Sequence, residues 1–423
     1  MSQISAGGHS HGVGADHPAL RSSNISMAPG AGTGLKSAFI GLGVLGLAVA
    51  AIGWFKDPTH ALASFHVGVI TAITICLGAT FFILIFNLVN AGWVSTFKRQ
   101  YENVMSLLPV VSLLMIPVFV LDYFDGHALF NWMSASAHGD VLLEKKAGFL
   151  NPMFFYARSA FYILLWAYIT STLRRLSLEQ DRTGDKWLTA KARRTSAWAI
   201  LVMALSTAFA GFDWLMSIDF KFFSTMWGVY FFAGSAYVGT ATMILILALL
   251  RRAGKMEGAV TSEHFHDLGK LLFSFTVFWA YIAFSQYFLI WYSNIPEETA
   301  FFHMREHGAW PMVGVAVIVS HFALPFVIML FRGIKRNPTT IAFFAVWSIA
   351  AHVIDMFWVV RPVVHVGNAA DPVGWGLIWI DAGAVLGVLG LLGWLIVGKV
   401  TSGPLVGVND PRLGEALEHR NYV

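Results

Sequence analysis

The stretch AHVIDMFWVVRP, residues 351–362, places a histidine, an aspartate and an arginine among side chains that are otherwise apolar. His352 and Asp355 are three positions apart, so on a helix they lie one turn apart on the same face. Histidine exchanges protons near neutral pH, and a neighbouring carboxyl group could receive them. These residue types at this spacing are typical of a proton-transfer site.

A second histidine belongs to the same region of the chain. A short polar connection, RGIKRNPT, separates the apolar segment of His321 from that of His352, which predicts two adjacent helices. With a rise of 1.5 Å per residue, both histidines fall near the middle of segments of about 20 residues. An ionisable side chain at the centre of a bilayer costs at least about 2.5–3.5 kcal/mol, so His321, His352 and Asp355 are functional candidates.

Further polar residues collect where the apolar segments would meet the outer face of a membrane. A structural role explains them as well as a functional one, because a buried pair such as Asp213 and Arg158 could simply lock two helices together. The group comprises His66, Asp122, Asp125, Arg158, Asp213, Asp219, Gln286, Tyr287, Arg361 and Asp381.

Three alternatives to proton transfer remain open on the residues alone. His321 and His352 could ligate one haem, although no second histidine pair lies at matching depths. Polar residues at mid-depth, with helix breaks at Pro325 and Gly211, would fit a secondary transporter of an ion or small solute, although the breaks form no paired motif. The chain could also be a purely structural membrane anchor.

The composition indicates which elements must hold these residues. Of 423 residues, 57% are hydrophobic and 12% are charged, whereas soluble domains carry roughly 25% charged residues. Ten segments are apolar over about 20 residues and none alternates like a strand, so the sequence predicts an all-α polytopic membrane protein with ten transmembrane helices. The helices are predicted at approximately 37–55, 65–93, 104–121, 153–173, 195–214, 223–250, 268–292, 310–331, 340–360 and 376–398.

The distribution of basic residues predicts the orientation. One side of the membrane would hold both termini and the connections after the even-numbered helices, and it carries 21 of the 28 Lys and Arg residues. By the positive-inside rule, this side and both termini are cytoplasmic. The predicted organisation is a flexible cytoplasmic arm over residues 1–34, a membrane domain over 35–400 and a cytoplasmic tail over 401–423.

Composition also limits the cofactors and partners. The single cysteine, Cys76, excludes intrachain disulfides and clusters held by several thiolates, and no C-x-x-C-H motif could attach a c-type haem. His9, His11 and His17 could bind a metal, but the surrounding Gly- and Ser-rich sequence favours a flexible arm that orders on a partner. No metal site and no nucleic-acid partner are predicted, and electron carriers are expected on other subunits.

Three motifs along the ten predicted helices resemble one family. In chain order they are FDWLMSIDFKFFSTMWGVYFFAG, IWYSNIPEET and HVIDMFWVVRP. From about residue 35 to 400 the chain resembles the F subunits of bacterial alternative complex III, a quinol:electron-acceptor oxidoreductase of the respiratory chain. These subunits are NrfD-like, polysulfide-reductase-type membrane proteins. The resemblance implies two four-helix bundles, over about 65–214 and 223–360, plus two extra helices.

The resemblance also implies the partners. Multihaem cytochrome c subunits and an Fe–S B subunit would carry haem c and Fe–S clusters, and an NrfD-like C subunit, small membrane subunits and a terminal oxidase would complete the assembly in the bacterial inner membrane. This chain would bind no cofactor covalently. It would support quinol oxidation, with cytochrome c or a similar protein as acceptor, and provide a transmembrane proton pathway.

Two sites are predicted within this chain. The proton pathway would run from cytoplasmic Ser and Thr groups to the outer loops through His321, His352, Asp355, Asp213 and Arg361. A slot for quinone or menaquinone would lie in the outer half of the third to fifth helices. There an apolar wall and polar groups would come from Asp122, Phe154, Phe155 and Arg158.

Overall fold

The structure, a computed structural model, describes residues 17–364, 371 and 373–421. The described residues are predominantly helical and contain no β-strand, as the sequence predicts. Within them, nine helices are long and apolar enough to cross a membrane. This architecture is that of a multi-pass helical membrane protein.

Ten long helices follow one another along the described chain. They are α1 (Thr33–Lys56), α2 (Pro58–Leu88), α3 (Lys98–Phe124), α4 (Pro152–Thr183), α5 (Trp187–Trp214), α6 (Trp227–Arg252), α7 (Ser262–Ser293), α8 (Trp310–Met329), α9 (Pro338–Val360) and α10 (Ile378–Thr401). Short helices lie between and beside them, at Pro18–Leu20, Ser22–Ile25, Asn131–Met133, Ala135–Ala137, Val141–Lys146, Met216–Ile218, Pro296–His303, Met304–Glu306, Arg332–Arg336, Trp375–Leu377 and Leu413–Leu417.

Each predicted segment coincides with one of the ten helices. Nine of them have the length and hydropathy of membrane spans, which confirms the prediction of a polytopic all-α protein. The exception is α4, which carries Arg174, Arg175 and Arg182 in its second half and is therefore less apolar than the others. A tenth crossing by α4, and with it the cytoplasmic location of both termini, stays a prediction.

Three helices begin with the same local signal. Asp57, Asn151 and Asn337 each precede a proline, which occupies the first helical position without needing a backbone donor. Their side chains accept hydrogen bonds from backbone N–H groups in the first turn. This signal explains why α2 begins at residue 58, seven residues before the predicted start.

Helices α2 and α6 form the centre of the molecule. In each, 89% of the most apolar 18-residue window is buried within the chain. The two helices contact each other where Gly78 faces Ser235 and Gly239; a Cβ added at Gly239 would lie 2.8 Å from the Gly78 Cα. Small residues at such crossings allow close packing of helix backbones in membranes.

The other helices surround this central pair. Helix α2 packs against α3 and α5, α6 packs against α7 and α9, and α1 lies along α10 and α2. The expected division into bundles over about 65–214 and 223–360 stays a prediction, because α2 and α6 also pack closely against each other.

Part of the predicted N-terminal arm has a defined place. Asn24 donates to the carbonyl of Glu257, and the Ile25 carbonyl accepts from the backbone N–H of Leu405. His17 caps the short helix Pro18–Leu20 through its Nδ1 atom. This part of the arm is therefore held against neighbouring connections, whereas His9 and His11 lie outside the described residues.

Helix α8 changes its winding in the middle. Residues Ile318–Ala323 form a π-helical segment, with α-helical turns on both sides. Pro325 lacks the N–H that an α-helix would direct at the carbonyl of residue 321, which favours such a change. The Ser320 carbonyl accepts a hydrogen bond from the Trp347 indole of α9 at 2.7 Å. His321 lies within this segment.

Candidate functional site

Six residues from five helices form a polar group in the interior, which we call the central cluster. Three of the five residues predicted for the proton pathway belong to it and are fully buried, whereas the other two, Asp213 and Arg361, lie elsewhere. The structure adds one residue from α2, one from α6 and one from α7. The members of the cluster are Thr74, Tyr230, Trp279, His321, His352 and Asp355.

Asp355 is held by two hydrogen-bond donors from other helices. The Tyr230 hydroxyl donates to one carboxylate oxygen, and the Trp279 indole N–H donates to the other at 3.1 Å. The nearer carboxylate oxygen lies 3.9 Å from His352 Nδ1, as expected for residues one turn apart on α9. The carboxyl group is therefore fixed with one oxygen turned toward an imidazole.

The hydrogen bond to Thr74 determines the tautomer of neutral His352. The Thr74 hydroxyl donates its proton to the Thr71 carbonyl at 2.8 Å, so it accepts from His352 Nε2–H at 3.0 Å. The other nitrogen, Nδ1, then carries a lone pair and has no hydrogen-bond partner among the described residues. Gly234 provides room for this ring, since a Cβ there would lie 2.8 Å from His352 Cε1.

His321 is placed by stacking alone. Its ring lies between those of Tyr237 and Trp279, with centroid distances of 4.2 and 3.8 Å. Neither ring nitrogen has a hydrogen-bond partner within the described part of the chain, and the centroid is 6.1 Å from that of His352. Buried polar atoms usually have partners, so these nitrogens indicate a place where a proton carrier such as water would bind.

The same residue types could in principle hold a cofactor. The ligand atoms of His321, His352 and Asp355 all lie within 4.8 Å of one another. Atoms that share a tetrahedral Zn²⁺ lie only about 3.3 Å apart, so the 3.9 Å between His352 and Asp355 would have to shorten. For haem, the 6.1 Å between the histidine ring centroids would suit two axial ligands of one iron. His352 Nε2 is bonded to Thr74, however, and Nδ1 faces Asp355 at 3.9 Å, so a macrocycle would have to displace the Asp355 side chain.

Asp213 and Arg158, two further predicted residues, form a buried ion pair between α5 and α4. The guanidinium donates to both carboxylate oxygens, at 2.7 and 2.9 Å, and the Tyr162 hydroxyl also donates to Asp213 at 2.7 Å. The guanidinium is stacked between the rings of Phe149 and Phe154. This is the helix-locking pair that the sequence offered as the structural alternative, and within the described part of the chain no hydrogen bond or ion pair joins it to the central cluster.

Asp122 and Phe155 lie in a neighbouring aromatic region. Asp122 accepts from the backbone N–H groups of Leu129 and Phe130, and it also bonds His127. The fully buried Phe155 ring packs against Phe130 and Trp132, among others. A quinone in the predicted slot would therefore have to displace these rings, and the slot stays a prediction.

Arg361 belongs to a third polar group at the end of α9. Its guanidinium pairs with Asp381 of α10 at 3.0 Å and contacts the His60 ring, which is itself 2.7 Å from Asp381. Helix α2 thus contributes His60 to this group and Thr74 to the central cluster. Its His66 bonds the carbonyl of Trp214, the residue after Asp213. Helix α2 thus bonds a residue of each of two polar groups and the residue after Asp213 in the third, and among the described residues no hydrogen bond or ion pair joins these groups directly.

A groove between α7 and α8 leads toward the central cluster. Its volume is about 790 Å³, and Tyr230 and Trp279, the two donors to Asp355, form part of its wall. Exposed residues of both helices, including Tyr281 and Val315, line its mouth. We call this space the α7–α8 groove.

Sequence reasoning did not identify Thr74, Tyr230, Trp279 or Gly234. Tyrosines at positions 230 and 237 are seven residues apart on one face of α6, which is a usable signal for a polar stripe. Comparison with known proteins adds no site residues: no protein-family model matches the chain, and no curated protein matches its sequence.

Proposed function

We propose that this chain is an integral membrane subunit of a quinol-oxidising respiratory complex of the alternative complex III type, and that the central cluster carries protons. The observation that supports the proposal is the arrangement around His352. An unpartnered imidazole nitrogen faces a carboxylate at 3.9 Å, with a second, unpartnered histidine beside it, inside a helical membrane protein. Such a chain of exchangeable groups is what proton transfer through a membrane requires.

The motifs of the family resemblance supply residues to the buried polar groups. HVIDMFWVVRP contributes His352 and Asp355 to the central cluster and Arg361 to the group at the end of α9. FDWLMSIDF contributes Asp213, and the segment that begins in IWYSNIPEET leads to the buried Arg305. These contacts give the motif residues a physical reason to be polar, which favours the family assignment over a simple anchor.

The proton route follows from the contacts of the central cluster. His352 Nδ1 is the acceptor, the Asp355 carboxyl is the neighbouring donor or acceptor, and the Tyr230 hydroxyl continues the chain toward the α7–α8 groove. A water molecule bound to His321 would connect the second histidine to this chain. Arg158 pairs with Asp213 and Arg361 with Asp381, so we assign these pairs to fixing the helices around the route.

Electron transfer belongs to partner subunits in this proposal. A single buried cysteine provides no ligand set for an Fe–S cluster. Quinol oxidation would therefore release electrons to Fe–S clusters and c-type haems of neighbouring subunits, while this chain handles the protons. We place the assembly in the bacterial inner membrane, with ten crossings and both termini in the cytoplasm.

The first test is the composition of the native assembly. We expect the purified complex to contain c-type haem, Fe–S clusters and quinone, with the cognate subunits identified by mass spectrometry. A homo-oligomer without redox partners would contradict the proposal and favour the secondary transporter. The substrate site of such a transporter would then be sought at the π-helical segment Ile318–Ala323 of α8, because interrupted helices often hold the substrates of transporters.

The second test removes the central carboxyl group. In Asp355→Asn we expect proton translocation coupled to quinol oxidation to be lost in reconstituted vesicles, because the amide cannot exchange a proton with His352. The control is Asp185→Asn, which changes a capping residue in an exposed connection. If Asp355→Asn retained both quinol oxidation and proton translocation, the central cluster would not be the route.

A further inference from the structure

The α7–α8 groove opens sideways toward the lipid and ends beside the central cluster. We propose that it binds the ring of a quinone or quinol, whose isoprenoid tail leaves between α7 and α8. The class of ligand rests on the proposed function, whereas its place rests on the groove itself. This place differs from the predicted slot among α3, α4 and α5.

The shape of the groove suits a ring with a long apolar tail. Its volume of about 790 Å³ lies within the roughly 300–1,000 Å³ of typical small-molecule sites. Val315 of α8 and Tyr281 of α7 are both more than half exposed on membrane-spanning helices, so the mouth between them faces lipid. A lipid-soluble ligand could enter without passing through water.

The inner wall offers planar surfaces and few, defined polar groups. The aromatic rings of Trp227, Tyr230, Trp279 and Trp358 line the groove and could stack on a quinone ring. Gln286 also lines it; its side-chain oxygen accepts from Ser224 at 3.1 Å, while its amide nitrogen has no partner among the described residues. That N–H group is a free donor for one carbonyl oxygen of a quinone.

Arg305 provides positive charge without an ion-pair partner. It lines the groove, is only 4% exposed, and no described carboxylate lies within 4.0 Å of its guanidinium. Its nitrogens donate instead to the carbonyl oxygens of Phe301, Trp358 and Val359. Glu306 also lines the groove but is half-exposed and pairs with His303, so the positive potential is confined to the buried wall around Arg305, where it favours the partly negative oxygen of a ligand.

The same contacts argue against a phospholipid head group. A phosphate would be recognised by free N–H groups of an arginine, arranged for bidentate contact. In Arg305 three of the five guanidinium N–H donors are already directed at carbonyl oxygens, which leaves at most two for a phosphate. Acyl chains, moreover, gain nothing specific from stacking on indole rings.

The groove also differs from a larger cavity among the described helices. That cavity, of about 980 Å³, lies among α1, α6, α9 and α10, and its walls are almost entirely apolar. In the α7–α8 groove, by contrast, Tyr230 and Trp279 stand between the ligand and Asp355, which both of them bond. A ring oxygen bound there would lie beside Tyr230, the last group of the proposed proton route.

The experiment is photolabelling of the native assembly with an azido-quinone that carries a decyl tail, followed by mass-spectrometric mapping. We expect adducts on α7 and α8 near Gln286 and Val315. Val315→Trp, which fills the mouth, should reduce labelling at least tenfold. Val327→Trp is the matched control: it lies on the same helix, is 55% exposed against 60% for Val315, and does not line the groove. Gln286→Leu should raise the Kd of decyl-quinone about tenfold through one lost hydrogen bond.

The outcomes separate the groove from the proposed function. Adducts near Asp122 and Arg158, or adducts that persist in Val315→Trp, would contradict the groove as the quinone site. They would not bear on quinol oxidation by the complex. Two competitors identify the occupant. If excess phosphatidylglycerol abolished the α7–α8 adducts and excess decyl-quinone without the azido group did not, quinone would be wrong as the occupant. Adducts that are lost only in Val315→Trp would support the site even if the assembly oxidised no quinol.

Discussion

His352 lies between a hydroxyl group that fixes its tautomer and a glycine that gives it room. Because a Cβ at residue 234 would lie 2.8 Å from the ring carbon Cε1, even one methyl group must displace the imidazole. The displacement would weaken the 3.0 Å bond to Thr74 and change the distance to Asp355. The position of the proposed proton-transfer group is thus determined by a residue with no side chain.

We therefore expect Gly234→Ala to reduce proton translocation at least tenfold and to lower the free energy of unfolding by about 1–3 kcal/mol, the usual cost of overpacking. Vesicle acidification and thermal unfolding in detergent measure the two effects. Gly41→Ala in α1 is the control, because a Cβ there would meet no atom within 4 Å. Equal translocation in the two variants would contradict the role assigned to Gly234.

For the Arg158–Asp213 pair we predict an effect on the free energy of unfolding rather than on proton transport. Removing one partner of a buried pair leaves an uncompensated charge, which typically costs about 3–5 kcal/mol. We expect Arg158→Met to destabilise the chain by about this amount, and Arg158→Met with Asp213→Leu to recover most of it. Lys270→Ala, at the half-exposed pair with Asp267, should cost less than about 1 kcal/mol. Unfolding followed by circular dichroism distinguishes these cases; no recovery in the double variant would contradict a purely structural pair.

Part of the site was accessible from the residues alone. The three-residue spacing predicted the contact between His352 and Asp355, and equal depth predicted the approach of His321. The donors to Asp355 are Tyr230 and Trp279, which are 125 and 76 positions away in the sequence. Their contact with Asp355 depends on how α6 and α7 are rotated about their own axes. Spacing within one helix does not determine that rotation, because membrane helices are apolar on most of their surface.

At the scale of elements, the two central helices combine close packing with the placement of polar groups. The sequence shows that α2 is apolar, and Asp57–Pro58 explains where it starts. Its position at the centre was not predictable, because the neighbouring helices are equally apolar. The reason lies in the glycines: Gly78 of α2 meets the backbone of α6 at Ser235 and Gly239. For the π-helical segment of α8, Pro325 indicated a helix break but not its type.

The Gly78 contact predicts a strong effect of a small substitution. In Gly78→Ala the new Cβ would overlap the Ser235 carbonyl oxygen, and backbone atoms cannot move aside as a flexible side chain does. We expect the helices to separate and the free energy of unfolding to fall by about 3 kcal/mol or more, at the upper end of overpacking costs. Thermal unfolding measures it, with Gly41→Ala again as the control. A variant as stable as the control would show that the two helices do not approach so closely.

At the scale of the whole molecule, the orientation depends on whether α4 crosses the membrane. If all ten helices cross, the number of crossings is even and both termini share one side; with nine, they do not. The basic residues Arg174, Arg175 and Arg182 that lower the hydropathy of α4 all lie in its second half. By the positive-inside rule these residues would mark a cytoplasmic helix end, so the feature that sets α4 apart is consistent with a crossing.

A membrane crossing by α4 predicts opposite accessibility at its two ends. Cys76 is the only cysteine and is buried, so Cys76→Ser provides a background for single reporter cysteines. In intact cells we expect an impermeant maleimide to label Ser136→Cys, in the exposed segment before α4, and to leave Asp185→Cys, in the exposed connection after α4, unlabelled until the membrane is permeabilised. Labelling of both cysteines in intact cells would place the two ends on one side. Helix α4 would then lie outside the membrane, and the chain would cross nine times.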